Sequence, residues 1–512
     1  MDEISYPYIN KIPKPTFLKK TVFWFSLFLI IAGSVYGSFL TYKIYSVGKK
    51  INIENTSPPS FLQTAKSLTQ ASSVDLKGYT DGRINILLLG IGGKGHPGQN
   101  LTDTIMLVSL NTKTNQAALY SIPRDMHVKI PVRRLASIRP GRSGPAEEFA
   151  AKINTIYQMG LGSAKDDSAS GADLIMRTVE ELTAQKINYY AILNFGGFEK
   201  IIDILGGINI VNERDINDPG YPGPNYSYAP FKLEKGFHHL DGAIALKYAR
   251  ERHNDPEGDF GRAKRQQQVL QAAKNKIFSA GTFLNPVAIN SLFDALEDNI
   301  ITNVTPAEIV SFLELAQKMD TQNINNVVLD AWNKDSLLKI VRINAGDSQF
   351  SALVPRVGNL SEIQELAQNV FDLNILKRRR AEIEKEDANI TLINASGNYK
   401  VLSALKKLLS VNLDYKNVAV VGADKLLAEK TIVYDLGNGA KPFTLDELAT
   451  KLPASVSYDI SSEIQKLAGN QKTDMVLVIG KDLVERYNME EGTLEELNKD
   501  RDSQDDLEFN KN

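Results

Sequence analysis

The sequence predicts an α/β protein in three parts: one N-terminal transmembrane helix, a larger mixed-sheet unit with helices on both faces, and a smaller C-terminal α/β unit. Three observations lead there. Residues 21–42 (TVFWFSLFLIIAGSVYGSFLTY) carry no charge over 22 positions. Short apolar runs such as Ile84–Gly90 (INILLLG) alternate with amphipathic stretches such as Phe198–Leu205, the pattern of layered α/β folds. A charge-dense stretch, Leu376–Ala388, separates the two sets of such runs.

At 1.5 Å per residue the uncharged run matches the ~30 Å of a bilayer core. Trp24, Tyr36 and Tyr42 suit its interfaces. A cleaved signal peptide has a shorter apolar core and a small-x-small site after it, so an uncleaved anchor over 21–45 is expected. Lysines flank both ends, and the positive-inside bias is slight. The folded mass lies C-terminal to the span. Residues 1–20 are therefore expected in the cytoplasm and those from 46 onward outside it, on a single-pass protein of the cytoplasmic membrane. Residues 46–83, rich in Ser, Thr, Pro and Gln, read as a stalk.

The chain has 512 residues, a net charge of −2 and no cysteine. Disulfides, thiolate metal sites and thiol nucleophiles are excluded. No global basic field exists to hold nucleic acid, so any anion site has to be local.

In the larger unit, expected over 84–358, INILLLG reads as a strand feeding a glycine-rich loop. Thr104–Leu110 and Ala117–Ile122 flank NTKTNQ as a hairpin. Ile187–Leu193 is a strand and Phe198–Leu205 a helix, stopped at Gly206–Gly207 before the strand Ile208–Val211. Residues 212–236 read as a long surface loop. Leu240–Tyr248, Asp259–Ile277 and a stretch ending near Gln317 are helical, and 325–356 returns to strands. Residues 359–387 read as a solvated helical linker and 388–483 as the second unit. The acidic stretch 484–512 reads as a disordered tail.

The chemistry concentrates in Tyr248–Gln268 (YARERHNDPEGDFGRAKRQQQ). Arg250 and Arg252 share a face if that segment is extended. Asp259 suits an N-cap. Arg262, Arg265, Gln266 and Val269 fall on one helical face. Arginines in a helix's first turn oppose its dipole, and a phosphate there would satisfy both. An ion-pair network with Glu251, Asp255, Glu257 and Asp259 would satisfy the same arginines, and spacing does not separate the two readings. Arg124 and Asp125, in SIPRD, follow a strand, where α/β sites collect. Asp103, in NLTDT, could ligate Mg²⁺ held jointly with phosphates or cap a turn. Lys152 could contact phosphate or simply be solvated. The loop IGGKGHPGQN is not a P-loop, and the five histidines, without metal spacing, read as structural or surface groups.

Taken together, ILLLG, TDTIMLVSLN, LYSIPRDMHV, KINTIYQMG, FGGFEKIIDILGGI and LDGAIALKYARER…DFGRAKRQQQ, in that order after one membrane span, resemble the LytR-CpsA-Psr family of envelope enzymes. ITLINASG and MVLVIG, within 388–483, resemble the small C-terminal domain often appended there. The resemblance implies a phosphotransferase moving a glycopolymer from undecaprenyl pyrophosphate to a peptidoglycan hydroxyl. It implies pyrophosphate contacts at Arg124, Lys152, Arg250, Arg252, Asp259, Arg262 and Gln266. Catalytic roles are expected for Asp103, Arg124, Asp125, Arg250 and Arg252, with Asp103 or Asp125 as proton acceptor. Asp103 is the expected Mg²⁺ ligand. The chain departs from the family's pattern at Gly92, where an aspartate is usual, and at Leu101, where an arginine is usual. The partners implied are the undecaprenyl-pyrophosphate-linked glycan, peptidoglycan and the membrane, without nucleic acid. A binder of polyprenyl phosphates without turnover, or a lipid pyrophosphatase, is the alternative.

Overall fold

The computed structural model describes residue 42, residues 75–131 apart from 97, and residues 148–161, 168–222, 228–252 and 255–277. It further describes 299–422 apart from 333, 346 and 347, then 426–469, and 472–499 apart from 494 and 498. The expected span at 21–45, most of the stalk and the end of the tail lie outside the described residues. Among those described, no helix is long and apolar enough to cross a membrane.

Strands β1 (Arg83–Ile91), β2 (Thr102–Asn111) and β3 (Gln116–Ser121) form an antiparallel meander, the last two joined by the expected hairpin. A smaller hairpin follows, β4 (His127–Pro131) with β5 (Glu148–Lys152). The helix Ser168–Thr183 leads into β6 (Tyr189–Asn194), which pairs parallel to β1. The side chain of Asn194 caps the helix Phe195–Ile204 by accepting the Gly197 N–H at 2.8 Å. Positive φ at Gly206 and Gly207 ends that segment, as expected, before β7 (Ile208–Asn212).

The stretch 212–236 differs from the expected loop. It folds back as a hairpin of β8 (Ile216–Asp218) and β9 (Phe231–Leu233), with Tyr221 and Phe231 buried. The two rings join a core with Ile202, Ile210 and Tyr248, which anchors the segment. Strand β10 (Gly236–Leu240) returns to pair with β7. The helices Gly242–Arg250 and Asp259–Ile277 follow. Strand β11 (Ile300–Thr302), the helix Pro306–Lys318 and β12 (Asp320–Val328) complete a mixed six-stranded sheet, ordered β11-β6-β1-β2-β3-β12. A separate antiparallel pair, β13 (Leu338–Ala345) and β14 (Ser348–Pro355), follows.

Alternation along β1 sends Leu87, Leu89 and Ile91 into one core with Leu174, Ile175 and Val179 of the helix Ser168–Thr183. Ile84 and Ile86 face the other side, against Leu315 and Phe312 of the helix Pro306–Lys318. Helices thus cover both faces. Leu76 joins that second cluster, and the Lys77 N–H donates to the Tyr189 hydroxyl at 2.7 Å. The end of the expected stalk is therefore part of the folded unit.

The second sheet contains β15 (Asn389–Asn394), β16 (Asn417–Val421), β17 (Ile432–Asp435), β18 (Ser455–Ser457) and β19 (Met475–Ile479), ordered β16-β15-β19-β17-β18. The residues between the sheets are helical, Ser361–Gln368 and Asn374–Glu386, but packed more closely than a solvated linker. Ile363 and Ala367 enter the first core, and Ile383 the second. Arg379 and Arg380 pair with Asp446 and Glu447. The acidic stretch also departs from expectation over its described part. Glu490 and Glu496 pair with Arg342, Glu491 pairs with Lys339 and Lys407, and Leu497 is buried in the first core.

Candidate functional site

Strands β1 and β6 run parallel, so their carboxyl ends share one edge of the sheet with the start of β2 and the end of β3. Crevices at such edges are where α/β folds place ligands. The pairing of β1 with β2 slips there: Gly90 opposes Thr104 while Ile91 opposes Thr102, leaving Asp103 as the bulged residue. A bulge re-aims a side chain that regular pleating would direct elsewhere. It brings Asp103 Oδ1 to 2.6 Å from the guanidinium of Arg124, just past β3.

Arg124 is the hub. It is only 6% exposed, and its Nε lies 3.3 Å from Asp259 and 3.7 Å from Asp125. Asp125 is buried and takes the Lys152 ammonium at 3.0 Å. Asp259 opens the long helix and bonds Arg262 one turn on, at 3.1 Å. It sits within the first turn as a partner for arginines, departing from the expected N-cap. Arg262 also donates to the backbone carbonyl of Asp103 at 3.4 Å. Burial pulls the Arg262 guanidinium down to about 10, with Asp259 and Asp103 opposing and Arg124 and Arg252 reinforcing the shift; it stays charged at neutral pH. Burial pushes the Asp103 carboxyl up, but Arg124, Arg262 and Arg252 together hold it below its ordinary value.

The second arginine segment divides. The helix Gly242–Arg250 ends at Glu251, whose backbone turns to extended geometry (φ −55°, ψ 137°). The Arg250 guanidinium lies over the Phe195 ring, 4.3 Å from its centroid, and 5.9 Å from that of Tyr221. Cation–π stacking holds such a group in place while leaving its N–H edges for an anion. Arg252 lies close enough to act on Asp103 and Arg262. Arg265 follows the ion-pair reading instead: it is buried, paired with Asp255, and donates to the carbonyls of Tyr248 and Glu251. Gln266 bonds the Ala249 carbonyl at 3.3 Å and braces the two helices. Gln267 anchors the long helix to the sheet through Ser121 and the Val327 carbonyl.

Among the expected site residues, Arg124, Lys152, Arg250, Arg252 and Arg262 stand against Asp103, Asp125 and Asp259, which leaves the cations in excess. The structure brings all of the expected site residues to this edge, with Gln266 in a bracing position. Phe195 and Tyr221 are the site residues that spacing missed. Tyr221 falls in the stretch 212–236 expected as a loop, and no charge pattern marks either residue.

Gly261 shows how tight the support is. A Cβ there would collide with the Asp255 carboxylate, which is buried and tied to Arg265. Gly261→Ala is expected to cost about 1–3 kcal/mol through overpacking, measured by denaturant unfolding, with anion affinity falling as Arg265 shifts.

Comparison with known proteins places the chain in a family. The LytR_cpsA_psr family model matches residues 47–350, more than half of the chain, and the chain belongs to that family. A Bacillus cereus protein named polyisoprenyl-teichoic acid–peptidoglycan teichoic acid transferase TagU is 31% identical over 290 residues, covering 56% of this chain and 80% of its own. A protein of the same name from Oceanobacillus iheyensis is 34% identical over 222 residues, covering 43% and 59% respectively. Among solved structures, Bacillus subtilis TagV is similar at 25% identity with a TM-score of 0.41, over 57% of this chain and 97% of its own.

Proposed function

We propose that this protein is a phosphotransferase that moves a glycopolymer from a polyprenyl-pyrophosphate carrier to a hydroxyl of peptidoglycan. The observation that carries the reading is the cationic excess at the sheet edge, centred on Arg124, in a chain whose relatives are named as such transferases. Phosphoryl transfer needs little covalent help from a protein; its rate comes from positioning and from neutralising charge on the departing phosphate. Arg124 and Arg262 are locked by carboxylates before substrate arrives, so they need no reorganisation when charge develops. Arg250 and Arg252 lie at the outer side of the cluster and grip the pyrophosphate, with Lys152 behind it.

Asp103 fits Mg²⁺ as a single protein carboxylate: it is partly exposed and held ionised. Among the described residues, no group of three or more acidic or histidine side chains is placed to hold a metal, so the pyrophosphate and water would supply the other ligands. When bound, the ion would neutralise phosphate oxygens. Because the arginines already carry that charge, chelation is expected to slow transfer by no more than about tenfold, or about 1.4 kcal/mol, in assays with EDTA against added MgCl₂.

Residues 21–45 would form the single membrane span, placing the site outside the cytoplasm, and 388–483 would form the family's appended C-terminal domain. The uncharged run and the second sheet support these assignments. The test incubates the detergent-solubilised full chain with a lipid-linked oligosaccharide pyrophosphate and peptidoglycan fragments. Ligated product supports the transferase. Free phosphorylated sugar would mean a hydrolase, and binding without turnover a receptor.

A further inference from the structure

The glycine-rich loop after β1 places one more reactive group at the site. His96 is exposed on this loop. Its ring meets Phe195 edge-to-face, 5.2 Å between centroids at 76°. The same Phe195 ring carries the Arg250 guanidinium on its face. One aromatic side chain therefore positions both the imidazole and the arginine expected to hold the pyrophosphate. The loop is closed by the Gly93 N–H donating to the Gln99 carbonyl at 2.9 Å and the His96 N–H donating to the Gly93 carbonyl at 3.2 Å. Gly92 allows this packing, since a Cβ there would come 3.0 Å from the His96 Cβ.

The carboxylates of the site are engaged by its cations. Asp125 and Asp259 are buried and bonded to Lys152, Arg124 and Arg262. Asp103 is paired with Arg124 at 2.6 Å, and its backbone carbonyl takes Arg262, so it is committed to holding the arginines.

We infer that His96 is a catalytic residue whose imidazole accepts the proton of the attacking sugar hydroxyl; this rests on the transferase reading above. The hydroxyl oxygen bonds to the phosphorus next to the glycan. The bond from that phosphorus to the bridging oxygen breaks, and polyprenyl phosphate leaves with the electron pair. The proton passes to His96 and then to water. The charged groups facing the ring are Arg250, from the helix Gly242–Arg250, and Glu199, from the helix Phe195–Ile204. Burial and then Arg250 lower the imidazole pKa, with Glu199 opposing, so the ring is an unprotonated base at neutral pH. A bound pyrophosphate would partly cancel Arg250 and strengthen that base when it is needed.

The experiment compares the full chain with His96→Gln and His96→Ala, using a polyprenyl-pyrophosphate-linked oligosaccharide and peptidoglycan fragments, with inorganic pyrophosphate binding as a check on the site. In the wild type, kcat should fall as pH drops through the imidazole's lowered pKa. In His96→Gln that acid limb should vanish and kcat should drop about 100-fold or more, with pyrophosphate affinity unchanged. Added imidazole should restore part of the rate to His96→Ala. If His96→Gln keeps the wild-type kcat and acid limb, or if its loss lies wholly in KM, the inference is overturned. A wild type that binds pyrophosphate yet transfers nothing overturns the transferase reading itself.

Discussion

Replacing Arg250 with alanine is expected to cut transfer by about 100- to 1,000-fold, the range found when one preorganised charge donor is removed from a reacting centre. The guanidinium is held by aromatic faces, Phe195 and Tyr221. Stability should therefore change little, and the unfolding midpoint should stay close to wild type. Arg250→Lys should recover only a small part of the rate. A lysine keeps the charge but loses the planar fork that stacks on an aromatic ring while binding two phosphate oxygens. Steady-state rates beside circular dichroism and melting curves check both halves. Full activity in the alanine variant would sink the site assignment.

Arg124→Ala is expected to act oppositely, through the fold first. Arg124 is buried between Asp103, Asp125 and Asp259. Removing the cation leaves clustered carboxylates in a desolvated place, a loss of about 3–5 kcal/mol. Without Arg124 the Asp103 carboxyl loses the strongest of the cationic influences that hold it below its ordinary value, against a burial that pushes it up. The variant's deficit should therefore shrink as pH falls through the carboxylate range, because protonated groups need no cation. Denaturant unfolding of both proteins across that range measures it. A deficit that does not change with pH would mean that Arg124 contributes by packing alone.

Much of the frame was legible from periodicity. The run INILLLG, the NTKTNQ hairpin and the helix Asp259–Ile277 stand where pattern put them, because each is a strong local signal. The arginine segments were legible as a cluster, but spacing could not tell ligand-facing arginines from structural ones. That division is made in three dimensions: Asp255, from the same segment, pairs with Arg265, whereas Phe195, from a helix distant in sequence, stacks with Arg250. The bulge at Asp103 leaves no mark in composition. Residues 212–236 misled because Pro and Gly dominate their composition, while two short strands and the buried Tyr221 and Phe231 give them order. The acidic stretch misled for a related reason. Its charges read as solvated until Arg342, Lys339 and Lys407 are seen beside them.

That acidic stretch joins the β13–β14 pair in a specific way. The Arg342 N–H donates to the Glu490 carbonyl at 2.9 Å, the Gly492 N–H donates to the Ile340 carbonyl at 2.9 Å, and Val341 bridges Glu491. The last described residues thus run beside β13 in the first unit after the chain has completed the second. A boundary drawn between the two sheets along the chain cuts through this arrangement. The second sheet is held to its neighbour by the chain before and after it, and ending the protein at the first sheet would strip away the residues that run beside β13.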